Sequence, residues 1–322
     1  MLNVVSVNVN GIRAAVKERS EENKGFFQWL NLEDPRADVI LMQEVRAGEK
    51  DTLKALAPAL DAGWHYVGAE SSAKGRAGVG ILSRFELTDV TIGLPDFEEA
   101  GRYIEATVKT ESGKDLRLGS LYLPSGDAET DKQDEKYHFL DIFEEYLEAN
   151  ANAHEYMVIG GDWNICHREQ DIKNHKTNRN SSGFLADERA FMDKVFGYAP
   201  DAATQLQTAD EIAEKFAMGT FFGAVDYKPS QRAQDRVAAV KAGECAEHLW
   251  HDVVRELDPE GSPYTWWSYR GQAFNNDAGW RIDYQAANEN LAKEAVEYSV
   301  DKAVSRDMRW SDHAPLLVRY NI

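Results

Sequence analysis

Met157-Val158-Ile159-Gly160-Gly161-Asp162-Trp163-Asn164 is the stretch from which the fold is read. Its apolar run has a strand's length and is stopped by two glycines, after which an acid, an aromatic and an amide stand together in a turn. In open α/β sheets the loops at strand ends form the ligand crevice, so a strand feeding a carboxylate and an amide into such a loop predicts both a sheet and a site. The pattern recurs on either side: Leu2 to Asn8 runs on to Asn10, Val39 to Gln43 is followed by Glu44, and Arg281 to Gln285 contains Asp283. Further β-rich runs lie at Val79 to Leu82, Tyr103 to Val108, Leu116 to Leu123, Tyr264 to Trp267 and Pro315 to Tyr320. Helical spacing of apolar residues occurs at Gly25 to Leu30 and Tyr137 to Leu147. Strands and helices mixed in this way predict an α/β fold around large sheets.

The 322 residues, 43% hydrophobic and 11% aromatic, suffice for a sizeable core. No internal repeat or low-complexity segment is visible, and one domain over residues 1 to 322 is expected. Thr204 to Glu247, rich in Ala, Gln and alternating charge, reads as a helical insertion decorating it. The opening residues read directly as a strand without a signal-peptide pattern, and no apolar stretch approaches the roughly 18 residues of a membrane span. Two cysteines, Cys166 and Cys245, are too few for a disulfide scaffold or a structural zinc site. A soluble cytoplasmic protein is expected. The net charge of −19 speaks against a polyanionic partner. Net charge does not report local charge, however, and the loop from Arg168 to Arg179 holds Lys173, Asn174, Lys176 and Asn178. Alone, that loop reads equally as solvated surface or as a phosphate-contacting face.

Taken singly, each acid or amide at a strand end is well explained as a turn or cap residue. Together, the four carboxylates Glu44, Asp162, Asp283 and Asp312, the amides of Asn8, Asn10 and Asn164, and His313 match what phosphodiester hydrolysis requires. Oxygen ligands hold a hard cation such as Mg²⁺, a role that suits Glu44. A carboxylate beside an amide can orient and deprotonate water, as Asp162 and Asn164 could. A histidine held by a second carboxylate can bind a phosphate oxygen, as His313 with Asp283 could.

Asn8-Val9-Asn10-Gly11-Ile12-Arg13, Gln43-Glu44, Leu121-Tyr122-Leu123-Pro124, Gly161-Asp162-Trp163-Asn164, Arg281-Ile282-Asp283 and Ser311-Asp312-His313 stand in an order that resembles the exonuclease III and abasic (AP) endonuclease family. The resemblance spans nearly the whole chain. It implies a four-layer α/β sandwich, two mixed β-sheets packed face to face and flanked by helices. It implies that Glu44 is the principal metal ligand with Asn10 and Asp312 nearby, for Mg²⁺ or alternatively Mn²⁺, and that Asp162 and Asn164 border the metal. It implies catalytic roles for Asn8, Tyr122, Asn164, the base Asp162 and the pair His313 and Asp283. The implied partner is double-stranded DNA, cut 5′ to abasic sites and trimmed at 3′ ends by a monomer.

Aromatic residues beside Asp283 resemble those with which this family encloses an extruded, base-free sugar, making Trp266, Trp280 and Ile282 the pocket candidates. Trp163 and Trp267 read as core. The resemblance makes Asn174, Asn178 and Arg179 candidate phosphate contacts, with Arg102 and Lys74-Gly75-Arg76 as further ones. Cys166, two residues beyond Asn164 and so within about 7 Å of it along an extended chain, is expected to border the nucleotide and to leave room for an internal abasic sugar. Two rival readings remain open: a phosphodiesterase or phosphatase of the same superfold acting on a non-DNA substrate, which the tryptophan pair disfavours, and a catalytically silent DNA-binding homologue.

Overall fold

The computed structural model describes residues 1–197, 221–242 and 248–322. In chain order the elements are β1 (Leu2–Asn8), α1 (Ile12–Ala15), α2 (Phe26–Leu30), β2 (Val39–Gln43), α3 (Glu49–Asp61), β3 (His65–Ala69), β4 (Val79–Ser83), β5 (Thr88–Ile92), β6 (Tyr103–Lys109), β7 (Asp115–Tyr122), α4 (Asp131–Asn150), β8 (Met157–Asp162), α5 (His175–Asn178), α6 (Ala186–Phe196), α7 (Gln231–Ala242), β9 (Trp250–Asp252), α8 (Val253–Leu257), β10 (Asp283–Asn288), α9 (Glu289–Ala292), β11 (Ala295–Val300) and β12 (Leu316–Tyr320). They form two six-stranded sheets, ordered β11-β12-β1-β2-β4-β3 and β5-β6-β7-β8-β10-β9.

Each sheet has one parallel pair at its centre, β1 with β2 and β7 with β8; the other neighbours are antiparallel. Val4, Leu41, Ile81, Leu118, Val158 and Val318 fill the space between the sheets. Val5, Val7, Ile40 and Met42 point the other way, onto Ile12, Phe26 and Leu56 of the helices, and Met157 and Ile159 pack likewise onto Phe139, Phe143 and Phe191. Both faces of the central strands are therefore buried, which is why their sequences read as unbroken apolar runs. Each such Val, Leu or Ile contributes about 1.5–3 kcal/mol on burial. The result is the expected sandwich of helix, sheet, sheet and helix layers. Gly160 allows the close approach of the sheets, because a Cβ there would come within 2.5 Å of Leu41 Cδ1.

The two parallel pairs face each other, β1 against β8 and β2 against β7. Their C-terminal ends deliver Asn8, Glu44, Tyr122 and Asp162 to one end of the sandwich. β10 runs antiparallel to β8 with Asp283 opposite Asp162, and β12 runs antiparallel to β1, so the starts of those strands reach the same end.

Some element expectations are corrected. Tyr264 to Trp267 is not a strand: Trp266 forms only isolated bridges, to Trp280 and His313. β10 begins two residues later than expected, at Asp283. The described part of the expected insertion includes α7, which packs on α6 and places Arg236 in a buried ion pair with Glu144 of α4. The remainder of the insertion, 204–220 and 243–247, lies outside the described residues.

Candidate active site

The buried side chain of Asn8 organises the cluster. Its Nδ2 donates to Glu44 Oε1 at 2.7 Å and to Asp162 Oδ2 at 2.9 Å, while its Oδ1 accepts from the backbone N–H of Asn10 at 2.9 Å. The two sheets thus share one amide. Asp162 is further fixed by the backbone N–H of Asn164, 3.0 Å from Oδ1, and Asn164 Nδ2 donates to the carbonyl of Leu123 at 2.8 Å. Asn10, Glu44 and Asn164 all have φ near +50°, so the chain turns sharply where each strand end meets the site. Asparagine tolerates that left-handed conformation; for Glu44 it is strain held by its surroundings.

His313 Nδ1 lies 2.8 Å from Asp283 Oδ2, and its Nε2 lies 3.7 Å from Asp162 Oδ2. Burial works against an imidazolium here, but Asp283 and Asp162 outweigh it and raise His313 to about 10. Burial likewise pushes Asp162 up to about 7, against the pull of His313 and with the help of Asp283. Burial, and then Glu44 and Asp162, hold the Tyr122 phenol well above its ordinary value, keeping its proton on.

Asn10 Nδ2 and Trp266 Nε1 donate to the two oxygens of Asp312, at 2.7 and 3.1 Å. Trp266 and Trp280 meet edge to face, with centroids 5.7 Å apart, and Trp266 lies 6.5 Å from the His313 ring. Ile282 is buried in the cluster on which both tryptophans pack. Arg102 sits 5.2 Å over the Tyr122 ring and pairs with Glu135. The basic loop runs beside Trp280, with Lys173 N–H donating to the Gly279 carbonyl at 3.2 Å. Within it Asn178 caps the Asn174 carbonyl at 2.9 Å and Arg179 pairs with Glu169 at 3.0 Å, so these three residues are engaged in the loop rather than with the catalytic cluster.

Cys166 corrects its expectation. Its side chain is 0% exposed, packs with Ile172, Phe184 and Ile282, and donates Sγ–H to the Asp171 carbonyl at 3.4 Å. It presents no surface to a nucleotide and instead backs the cluster that carries the two tryptophans.

Several contacts that organise the site were not readable from the sequence. Arg46 Nη1 donates to Asn10 Oδ1 at 2.7 Å, and its Nη2 bonds Glu44 Oε2. Thr265 Oγ1 accepts from the N–H of both Ile282 and Asp283, at 3.2 and 3.1 Å, fixing the start of β10. Ser311 Oγ donates to the Asn8 carbonyl at 2.6 Å and accepts from His313 N–H at 3.2 Å. Asp171 and Asp252 clasp the buried Arg281, at 2.8 and 2.6 Å, so the segment leading into Asp283 is held from behind.

The donor set fits a hard divalent cation. Glu44 and Asp162 bring carboxylate oxygens within 4.8 Å of each other, and Asn10 and Asp312 add oxygens beside them. Carboxylate and amide oxygens suit Mg²⁺ or Mn²⁺. A buried acid cluster with one imidazole, at the strand ends of a two-sheet sandwich, defines a class of protein built to work on phosphate esters.

Residues 5–313 match the Endonuclease/Exonuclease/phosphatase family, and the chain belongs to that family. Among curated relatives, an exodeoxyribonuclease of Bacillus subtilis (strain 168) is 28% identical over 326 residues, covering 100% of both chains. The DNA repair nuclease APEX1 of Danio rerio is 26% identical over 318 residues, covering 98% of this chain and 81% of its own. Among solved structures, an AP endonuclease from Archaeoglobus fulgidus shares the fold with a TM-score of 0.70 at 23% identity over 100% of both chains. Among the described residues no helix is long and apolar enough to cross a membrane.

Proposed function

We propose that the chain is a metal-dependent DNA repair nuclease, hydrolysing the phosphodiester 5′ to abasic sites and removing nucleotides or blocking groups from 3′ ends of duplex DNA. The observation that carries this reading is the pairing of His313, held between Asp283 and Asp162, with the edge-to-face Trp266 and Trp280 beside it. The first part is a hydrolytic centre for a phosphate ester; the second offers an apolar wall to a sugar that has lost its base. Relatives named exodeoxyribonuclease and DNA repair nuclease, covered over 100% and 81% of their own lengths, support the same substrate class.

A divalent ion, Mg²⁺ or Mn²⁺, would be held by Glu44 with Asn10 and Asp312 beside it, and would supply neutralisation of the phosphate and of the leaving oxygen. His313 keeps its proton at neutral pH, and Asp283 aims the ring so that Nε2–H can donate to a phosphate oxygen as charge develops there. Asp162, raised towards neutrality and fixed by Asn8 and Asn164, takes the proton of the attacking water. Tyr122 stays a phenol and can donate to a second phosphate oxygen. One chain supplies the whole constellation, which supports a monomer as the unit of activity. Cys166 is a buried free thiol, in keeping with a reducing, cytoplasmic setting.

The test is cleavage of duplex with an internal abasic site, duplex with a recessed 3′ end, intact duplex and inositol phosphates, in Mg²⁺ and then with EDTA. The two DNA lesions should be cut in Mg²⁺ only. Faster turnover of inositol phosphates, or cleavage that survives EDTA, overturns the reading.

A further inference from the structure

A second cluster of ligating side chains lies at the edge of the second sheet. His251 in β9 and Glu256 in α8 are joined, Nδ1 to Oε1, at 2.5 Å. His248, two residues before β9, sets its ring against that of His251, with centroids 5.1 Å apart at 68°. One ligand atom from each of the three lies within 4.8 Å of the other two. His248 and Glu256 are exposed and His251 is half-buried, so the cluster opens to solvent. His248 also closes on Gly197, which ends α6 at φ +92°; a Cβ on that glycine would stand 2.9 Å from His248 Nδ1.

We propose that His248, His251 and Glu256 bind one zinc-class divalent cation, at a site separate from the nuclease centre. Two imidazoles with one carboxylate form a borderline donor set that favours Zn²⁺ over Mg²⁺. Zinc bonds of about 2.0–2.2 Å at tetrahedral angles put ligand atoms roughly 3.3 Å apart. The side chains here span that spacing, and at an open edge they can rotate to meet it. Three protein ligands leave the fourth position to water. The only other such group among the described residues, Glu44 with Asp162 and His313, is buried and is flanked by further oxygen donors, so a hard and a borderline ion partition between the two sites. His251 is paired with Ala287 of β10, the strand that begins at Asp283, so the ion would clamp the sheet edge, through His248, to the end of α6.

The tag-free full chain, kept in excess Mg²⁺, is titrated with Zn²⁺ against a chromophoric zinc chelator. The wild type should take up one equivalent more than His248→Ala or His251→Ala, and Glu44→Ala should retain that equivalent. Zinc should raise the Tm of the wild type by a few degrees and leave the two histidine variants unmoved, since an ion that binds only the folded state stabilises it. Both histidine variants should cut DNA in Mg²⁺ at the wild-type rate. Equal zinc uptake by the histidine variants, loss of the extra equivalent in Glu44→Ala, or binding no tighter than that of a single exposed imidazole would overturn the proposal.

Discussion

Nε2 of His313 lies 3.7 Å from Oδ2 of Asp162, so one imidazolium separates two buried carboxylates, Asp162 and Asp283. Burial pushes Asp162 up to about 7. A base must be ionised to work, so activity should rise with pH. The acidic limb of kcat/KM should fall between the ordinary carboxylate value of about 4 and about 7, nearer the lower end once a divalent cation is bound. Asp162→Asn should erase the limb and lower kcat by roughly 10²-fold or more. A profile flat from pH 4 to 8 in the wild type counts against Asp162 as the base.

Asp283 holds the His313 ring and Thr265 holds the backbone of Asp283, so His313 and Asp283 are expected to act on the phosphate as one unit. His313→Ala and Asp283→Ala should each lower kcat by about 10²–10³, and the double variant should be scarcely worse. Multiplicative losses in single-turnover kinetics would show that the two act independently.

Arg46 holds oxygens of Glu44 and Asn10 that a divalent cation would also use. A tethered guanidinium competes with a soluble ion for them. Calorimetry without DNA should therefore show Arg46→Ala binding Mg²⁺ several-fold more tightly, corresponding to about 1 kcal/mol for a half-exposed pair. Unchanged or weaker affinity rules the competition out.

Asp171 accepts from Arg281 and Arg255 in the interior. Burial would raise its carboxyl, but Arg281 and then Arg255 pull it down to about 2. A group depressed below its unfolded value of about 4 stabilises the fold above that pH and loses its contribution as pH falls through about 2. Asp171→Asn should cost about 3–5 kcal/mol at pH 7 by urea denaturation, because the buried Arg255 loses its only carboxylate and Arg281 keeps only Asp252. The gap to wild type should narrow towards pH 2; a constant gap would mean that the charge is not what matters.

Lys173 and Lys176 are exposed, whereas Arg179 is paired with Glu169. Replacing both lysines with alanine should reduce the slope of log affinity for duplex against log salt by about one per lost phosphate contact, and Arg179→Ala should do less. An unchanged slope in the double lysine variant marks the loop as solvated surface.

The strand-end acids and amides were legible because hydrolytic chemistry restricts residue type and the strands bearing them are apolar on both faces. The edge strands were not. β5, Thr88–Ile92, is exposed throughout, and β3 and β11 are mostly half-buried, so no clean core face imprints a period on them. Cys166 shows a different limit: its distance from Asn164 along the chain gave reach but not direction, and the left-handed turn at Asn164 leads into a buried position. Arg46 and Thr265 failed for a third reason. An arginine near an acid and a threonine near a tryptophan look the same whether they organise a site or face solvent, and only the tertiary fold tells them apart.

The final strand, β12, does not lie at the rim of its sheet but between β11 and β1. Until it is synthesised, β1 exposes an unpaired edge, a hazard for misassembly. The imidazole of residue 313, just before β12, is brought to Asp283 by this same segment. A growing polypeptide on the ribosome therefore carries Asn8, Glu44 and Asp162 without the group that completes them. Hydrolytic competence is therefore expected to arrive only with this segment, and a shortened product lacking it is expected to be inert towards DNA.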